Sequence, residues 1–367
     1  MRIGINLLNL TQDRFGGVEQ YIKNLITHLA DSRENLTLFL FLSANMRNIF
    51  PRHEKIQIQK LTDSAHIYKS IRQCQLDLWF CPLHKSYISN IDVPSVVTIH
   101  DVLHTEYPHF VPGGLDENNR YYHQFAPSFT KVITVSHFSK NAIANHLPIP
   151  KEKIHAIHLN APAIFERAPA HAQRKRVKQK YQLPDRYALY PSSYNPHKNH
   201  QNLLKAILIL RKKYNTSIPL VLTGFADKNN GIYQSVLRFI RDHSLEEDIH
   251  VLGYVKPDDM PSLYWNSSFL VFPSLYEGFG IPLVEALKAK KPIVCSNKGS
   301  IPEIAGDAAL YFDPESPEDI ASKMKSMLDP STRERLRKMS SLRSKQFSWK
   351  RTAAETLNVF RSVVKKR

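Results

Sequence analysis

Glu277 and Glu285 stand eight positions apart in P-S-L-Y-E-G-F-G-I-P-L-V-E, Pro273 to Glu285, with two glycines between them. An apolar run, Phe269 to Phe272, precedes the segment, and a helical pattern from Pro282 to Lys290 follows it. Pro282 suits the first helical position, where its missing N–H costs nothing. Strand, glycine loop and helix start together present free backbone N–H groups and the positive end of a helix dipole, an arrangement that cradles phosphate. Carboxylates beside an anion site are unfavourable unless they bind something other than the phosphate. A sugar nucleotide supplies that, because the hydroxyls of a hexose and of a ribose are donors with a diphosphate between them. Glu277 is then the candidate for one ring and Glu285 for the other. In the plainer reading, Glu285 only stabilises a helix N-terminus and Gly278 and Gly280 shape a turn. The ordered strand, loop and helix around the pair weigh against it.

Further groups stand at the ends of apolar runs. In P-S-S-Y-N-P-H-K-N-H, Pro191 to His200, Lys198 is placed at the start of a helix and aims a point charge at the same cleft; as an alternative, Lys198 and Asn199 simply start a solvated helix. V-V-T-I-H-D, Val96 to Asp101, puts His100 at the carboxyl end of a strand, where it can donate to a sugar hydroxyl or a phosphate. Gly16 and Gly17 form a turn before the first long helix, where bare backbone can approach a phosphate or an acceptor. Ser136 follows the I-T-V strand end, with capping of the S-H-F-S-K helix as its equal alternative.

These groups need a scaffold that brings strand ends together. In the first half, Ile3 to Leu8, Thr37 to Leu42, Leu76 to Phe80, Ser95 to Ile99 and Lys131 to Val135 are predicted buried strands, and Val18 to Ala30 a helix. The pattern breaks around Asn160, and the Ala-, Pro- and Arg/Lys-rich stretch to Pro184 is read as a connection, helical in part from Gln173 to Tyr181. The second half restarts with strands at Tyr187 to Tyr190, Pro219 to Thr223, His250 to Leu252, Phe269 to Phe272 and Pro292 to Cys295. Helices are expected at Asn199 to Tyr214, Ile232 to His243, Met260 to Asn266 and Trp349 to Val364. Strand and helix alternation of this kind makes a parallel sheet covered on both faces, with ligands at the carboxyl ends of the strands.

The E-G-F-G-I-P loop, the following E-A-L-K-A-K-K-P-I-V, the segment Ser296 to Pro314 and the L-G-Y-V at Leu252 to Val255 resemble the retaining glycosyltransferases of family 4. Within that family the chain is similar to bacterial mannosyltransferases that build surface polysaccharides. The resemblance implies an α/β chain of GT-B fold, two facing Rossmann-like domains with a C-terminal helix crossing back to the first. The expected domains are 1–165, binding the acceptor, 166–345, binding the sugar nucleotide, and 346–367, the returning helix. It further implies that Lys198 meets the donor diphosphate and that Phe279, Gly280 and Ile281 do so through their amides. Tyr254 and Val255 are placed at the nucleotide base, His100 in the active site, Gly17 on the donor side, and Gly16, Asp101 and Ser136 on the acceptor side. Where the family often carries an arginine beside the lysine or upstream of it, this chain has His197 and Ser192 or Ser193, and His197 is the candidate second phosphate clamp. The implied reaction moves a hexose, mannose favoured, from a nucleoside diphosphate sugar to a sugar hydroxyl of a glycan or lipid-linked acceptor with retention. Domain closure is expected to exclude water.

The 367 residues suffice for two domains, and 42% hydrophobic with 23% charged residues describes a soluble globular chain without a membrane span or signal peptide. Three scattered cysteines, Cys74, Cys81 and Cys295, suggest neither a disulfide framework nor a zinc site, and a cytoplasmic location follows. No Asp-x-Asp occurs, so nothing in the sequence asks for a metal or any other cofactor. The net charge of +17 is uneven, with 16 basic against 13 acidic residues to position 165 and 34 against 20 beyond it. Arg167 to Lys180 holds six basic residues and no acid, and twelve of the residues from Pro330 onward are basic. Such surfaces attract anionic lipid, lipid diphosphates or nucleic acid, and peripheral contact with the inner face of a membrane is the expectation, a merely solubilising charge run the alternative. Nucleic-acid binding or modification is the rival function; it is disfavoured because the basic runs lack interleaved aromatics and no reading-helix motif is present. A non-catalytic sugar-binding homologue is disfavoured by the joint presence of Glu277, Glu285, Lys198 and His100.

Overall fold

The structure is a computed structural model that describes residues 1–10, 16–47, 49–61, 66–225 and 227–364. The chain divides into two compact units, Met1–Leu159 with Ser348–Arg367, and Asn160–Phe347. The first unit holds seven strands, β1 (Arg2–Asn6), β2 (Thr37–Ser43), β3 (Ile56–Leu61), β4 (Leu78–Cys81), β5 (Ser95–Thr98), β6 (Lys131–Thr134) and β7 (Ile154–Ala156). The second holds six, β8 (Ala188–Pro191), β9 (Leu220–Thr223), β10 (Ile249–Val251), β11 (Phe269–Phe272), β12 (Ile293–Ser296) and β13 (Ala309–Phe312).

Both sheets are parallel and doubly wound. The first runs β3-β2-β1-β4-β5-β6-β7 and the second β10-β9-β8-β11-β12-β13. The order reverses between β1 and β4 in one sheet and between β8 and β11 in the other, which is the Rossmann-like winding. Central strands such as β4 (L-W-F-C), β8 (A-L-Y-P) and β11 (F-L-V-F) are buried at every residue, as expected of strands covered by helices on both faces. β3 reads I-Q-I-Q-K-L and lies at the sheet edge, where none of its residues is fully buried and Gln57 and Lys60 are exposed.

The helix Trp349–Val363 belongs to the first unit. Phe360 packs edge-on against Phe80 of β4 at 5.0 Å, Thr352 Oγ1 donates to the His158 carbonyl at 2.6 Å, and Arg361 pairs with Glu34 at 2.6 Å. The stretch read as a connection up to Pro184 is instead largely part of the second unit. Helix His171–Lys180 buries Val177, and Lys180 and the Tyr181 hydroxyl both donate to Asp259, a buried carboxylate, at 2.6 and 3.0 Å. Composition hid this because only one of the ten helix residues is apolar and buried.

Candidate active site

β8 and β11 pair at the centre of the second sheet, and the chain leaves them toward opposite edges. Connections splay apart at such a reversal, which is where open sheets of this kind form a ligand crevice. Lys198 follows β8, Glu277 follows β11, and Lys198 Nζ donates to Glu277 Oε1 at 2.7 Å. Their side chains are only 17% and 11% exposed, so water screens the pair weakly.

Both ends of this contact are pinned by backbone. The Tyr190 hydroxyl donates to the Lys198 carbonyl at 2.6 Å, and the Leu275 N–H to the His197 carbonyl at 2.8 Å. Lys198 closes a short 3-10 turn, Pro196–Lys198, and does not start the helix, which begins at His200. Between them Asn199 turns into the left-handed region at φ 60, which Asn tolerates better than most residues, and its amide donates to the Pro273 and Pro314 carbonyls at 3.0 and 2.7 Å. Across the loop, the Ser300 N–H and hydroxyl reach the Glu277 carbonyl at 3.3 and 3.0 Å. Gly299, at φ 62, passes so close that a Cβ there would lie 3.1 Å from the Glu277 nitrogen.

Gly280, at φ 91, precedes the helix Ile281–Lys288, which starts one residue earlier than the sequence pattern indicates and leaves Pro282 at the second position. The first intrahelical bond is Leu283 N–H to Gly280 O, so the amide of Ile281 precedes the ladder. Phe279 is buried, its ring edge-on to Phe347 at 6.1 Å. Glu285 is 6% exposed and accepts a 2.5 Å hydrogen bond at Oε2 from the Tyr264 hydroxyl. Burial pushes its carboxyl up to about 7, and the Tyr264 donor pulls the other way.

The exit of β9 lies against that of β8, since a Cβ on Gly224 would fall 2.0 Å from the Ser192 carbonyl. The Gly224 N–H and Thr223 Oγ1 both donate to the Gly253 carbonyl at 2.9 Å, which draws the loop after β10 to the same strand exit. On that loop Tyr254 is 51% exposed and Val255 buried. Ser192, His197, Lys198, Glu277, Gly280, Ile281 and the Tyr254–Val255 pair thus all sit in the connections that follow the carboxyl ends of strands of one sheet.

The candidates of the first unit are less alike. His100 follows β5; its Nε2 lies 3.1 Å from the Pro82 carbonyl and its ring is edge-on to Tyr21 at 5.1 Å. Burial lowers its basicity, partly offset by that carbonyl and by Asp101. The Asp101 carboxylate accepts from the Leu103 N–H at 3.1 Å. Gly16 caps the helix Gly17–Ala30, and its N–H donates to Glu19 Oε2 at 2.8 Å, so that donor is used within the turn. Ser136 is fully buried and its hydroxyl accepts from the Ser139 N–H at 3.0 Å, the capping geometry. Sequence reasoning missed His84, whose Nδ1 accepts from the His100 N–H at 3.3 Å, and also Tyr264. His84 lies outside any strand, and Tyr264 looks like an ordinary apolar helix position.

Two doubly wound parallel units, one with a cation and a carboxylate joined at its reversal point, define the architecture of the GT-B glycosyltransferases. A crystal structure of Anabaena Alr3699/HepE in complex with UDP and glucose aligns with a TM-score of 0.78 over 99% of this chain and 100% of that one, at 17% identity. WaaG, a glycosyltransferase involved in lipopolysaccharide biosynthesis, aligns at 0.75 over 98% and 99%, with 12% identity. Residues 15–159 match Glycosyltransferase Family 4, and residues 172–343 match Glycosyl transferases group 1. The O-antigen chain mannosyltransferase B of Escherichia coli is 31% identical over 94% of this chain and 96% of its own length. The chain belongs to glycosyltransferase family 4, and the family and GT-B readings of the sequence hold.

Proposed function

We propose that the chain is a retaining hexosyltransferase of cell-surface polysaccharide assembly, moving mannose in preference to other hexoses from a nucleoside diphosphate sugar to a sugar hydroxyl of a glycan or lipid-linked acceptor. The Lys198–Glu277 contact carries the reading, because it joins the cation suited to a diphosphate and the carboxylate suited to sugar hydroxyls at one sheet reversal. The resemblance to an O-antigen mannosyltransferase along nearly the whole chain supports the choice of mannose.

In this reaction the bond from the anomeric carbon to the diphosphate oxygen breaks and a bond from the same carbon to the acceptor oxygen forms on the same face. The acceptor's proton passes to the departing phosphate. Lys198 and the amides of Phe279, Gly280 and Ile281 stabilise the charge that grows on the leaving group, and Glu277 orients the hexose. Glu285 takes the ribose. No cofactor is needed for these steps. The reading is tested by following free nucleoside diphosphate and elongated acceptor together. They should form in equal amounts and cease in Glu277→Ala, and near-normal transfer by that variant would remove Glu277 from the role given to it.

We also propose peripheral contact with an anionic membrane surface. No helix among the described residues is long and apolar enough to cross a membrane. On the helix His171–Lys180, Lys178 pairs with Asp185, and Arg176 and Lys180 with Asp259, which reduces the charge available to a partner. Lys175, Arg335 and Lys338 are exposed. Changing Arg174, Lys175 and Arg176 to Ser should weaken salt-sensitive binding to anionic vesicles; unchanged binding would exclude this patch.

A further inference from the structure

The loop after β4 grips His100 at two points. Pro82 lies opposite the ring, its carbonyl 3.1 Å from Nε2, and His84 lies opposite the backbone, its Nδ1 3.3 Å from the His100 N–H. A carbonyl oxygen only accepts, so Nε2 of His100 carries the proton in that contact. The ring is enclosed by Tyr21, edge-on at 5.1 Å, and by the parallel ring of His84 at 6.2 Å, with Asp101 next in the chain. Burial disfavours its charged form, and Nδ1 is then a lone-pair acceptor. His84 is itself fixed. With Nδ1 accepting and the ring kept neutral by burial, which lowers its pKa to about 3, its Nε2–H faces the Tyr122 hydroxyl at 3.1 Å. Tyr122 is fully buried and stacks on His104 at 5.8 Å.

We propose that His84 is a positioning residue that, with the Pro82 carbonyl, holds His100 with its proton on Nε2 and a bare Nδ1, so that His100 accepts a hydrogen bond from a substrate hydroxyl. This deepens the glycosyltransferase reading and rests on it. It also revises the sequence expectation, because a bare nitrogen gives no hydrogen bond to a phosphate oxygen. The ligand it selects is a hydroxyl, the group that both a donor hexose and an acceptor sugar carry.

The backbone at His84 is left-handed, φ 64, which sets the choice of variants. Gly adopts that conformation freely and removes the side chain. Asn adopts it more readily than other side chains and puts an amide oxygen near the position of Nδ1. The test is nitrogen-15 NMR of the histidine rings in the full chain, with the His100 signals identified by their loss in His100→Gln. The wild-type protein should show the Nε2–H tautomer of His100 between pH 6 and 8. His84→Gly should lose that signature and lower kcat about tenfold or more while nucleoside diphosphate affinity is unchanged, and His84→Asn should restore both. An Nδ1–H or charged signature in the wild type overturns the proposal without reference to any variant. Retention of signature and kcat in His84→Gly overturns the part given to His84. If no sugar nucleotide supports transfer, the proposed function fails, and the ring signature still decides the tautomer.

Discussion

Lys198 Nζ and Glu277 Oε1 are 2.7 Å apart, so the cation assigned to the diphosphate and the carboxylate assigned to the sugar are each other's partner. A diphosphate competes with Glu277 for the ammonium, and the two side chains therefore have opposite effects on nucleotide affinity. Glu277→Ala should bind free nucleoside diphosphate at least as tightly as the wild type although transfer is lost. Lys198→Ala should weaken it by about 2 kcal/mol, roughly thirtyfold, as expected for one charge-assisted contact. Calorimetric titration of both variants checks the split; equal weakening would show that Glu277 does not compete.

Gly299 holds the Glu277 loop from behind, with left-handed φ and a would-be Cβ 3.1 Å from the Glu277 nitrogen. Gly299→Ala should cost about 1–2 kcal/mol of stability from backbone strain alone. It should also lower kcat by displacing Glu277. Thermal unfolding and steady-state kinetics measure the two effects separately.

Glu285 gives the second unit a pH dependence of definite sign. Its carboxyl rises from an ordinary 4.5 to about 7 on folding, chiefly through burial. Between those values the folded chain binds more protons than the unfolded one, so this group's contribution is fully present below about 4.5 and is lost as pH rises through about 7. The span corresponds to about 3 kcal/mol. Glu285→Gln removes the titration, so its stability relative to wild type should grow from pH 5 to pH 8 in thermal unfolding. A constant difference would contradict the assignment.

Tyr264 supplies the one hydrogen bond described for the Glu285 carboxylate. Tyr264→Phe leaves a buried acceptor short of a donor, at a cost of about 1–3 kcal/mol. It should also raise the Glu285 carboxyl further, because the hydroxyl acts to lower it. The pH profile of donor KM should shift upward in this variant, an effect that loss of packing alone does not produce.

The winding of both sheets was legible because the buried strands are short apolar runs punctuated by helical periodicity. The exact ends were not: β4 runs from Leu78 to Cys81 and not from Leu76, and Lys198 closes a 3-10 turn rather than starting a helix. Such boundaries depend on side-chain hydrogen bonds to distant backbone carbonyls, here those of the Asn199 amide and the Tyr190 hydroxyl, whose partners cannot be read from the local sequence. β3, β7 and β13 were not foreseen. All three are outer strands: β3 has no fully buried residue, β7 is only three residues long, and β13 is a four-residue strand whose central Leu310 and Tyr311 are only partly buried. Glu277 and Glu285 could be picked out because charged residues beside a glycine loop are unusual, and Lys198 because it stands where an apolar strand gives way to a helical pattern, whereas their supports, Gly299, Ser300 and Tyr264, are distant in sequence and ordinary in type. The basic run at Arg174–Lys180 looked unpaired because its acidic partner, Asp259, lies some eighty residues away.

Calorimetric titration of GDP-mannose, UDP-glucose, UDP-N-acetylglucosamine and their free diphosphates into the wild-type chain and Lys198→Ala tests the central claim most directly. One sugar nucleotide should bind selectively, and its affinity and that of its diphosphate should both fall in the variant. Absence of binding across the panel, or binding that Lys198→Ala leaves untouched, would contradict a donor site built on the Lys198–Glu277 contact.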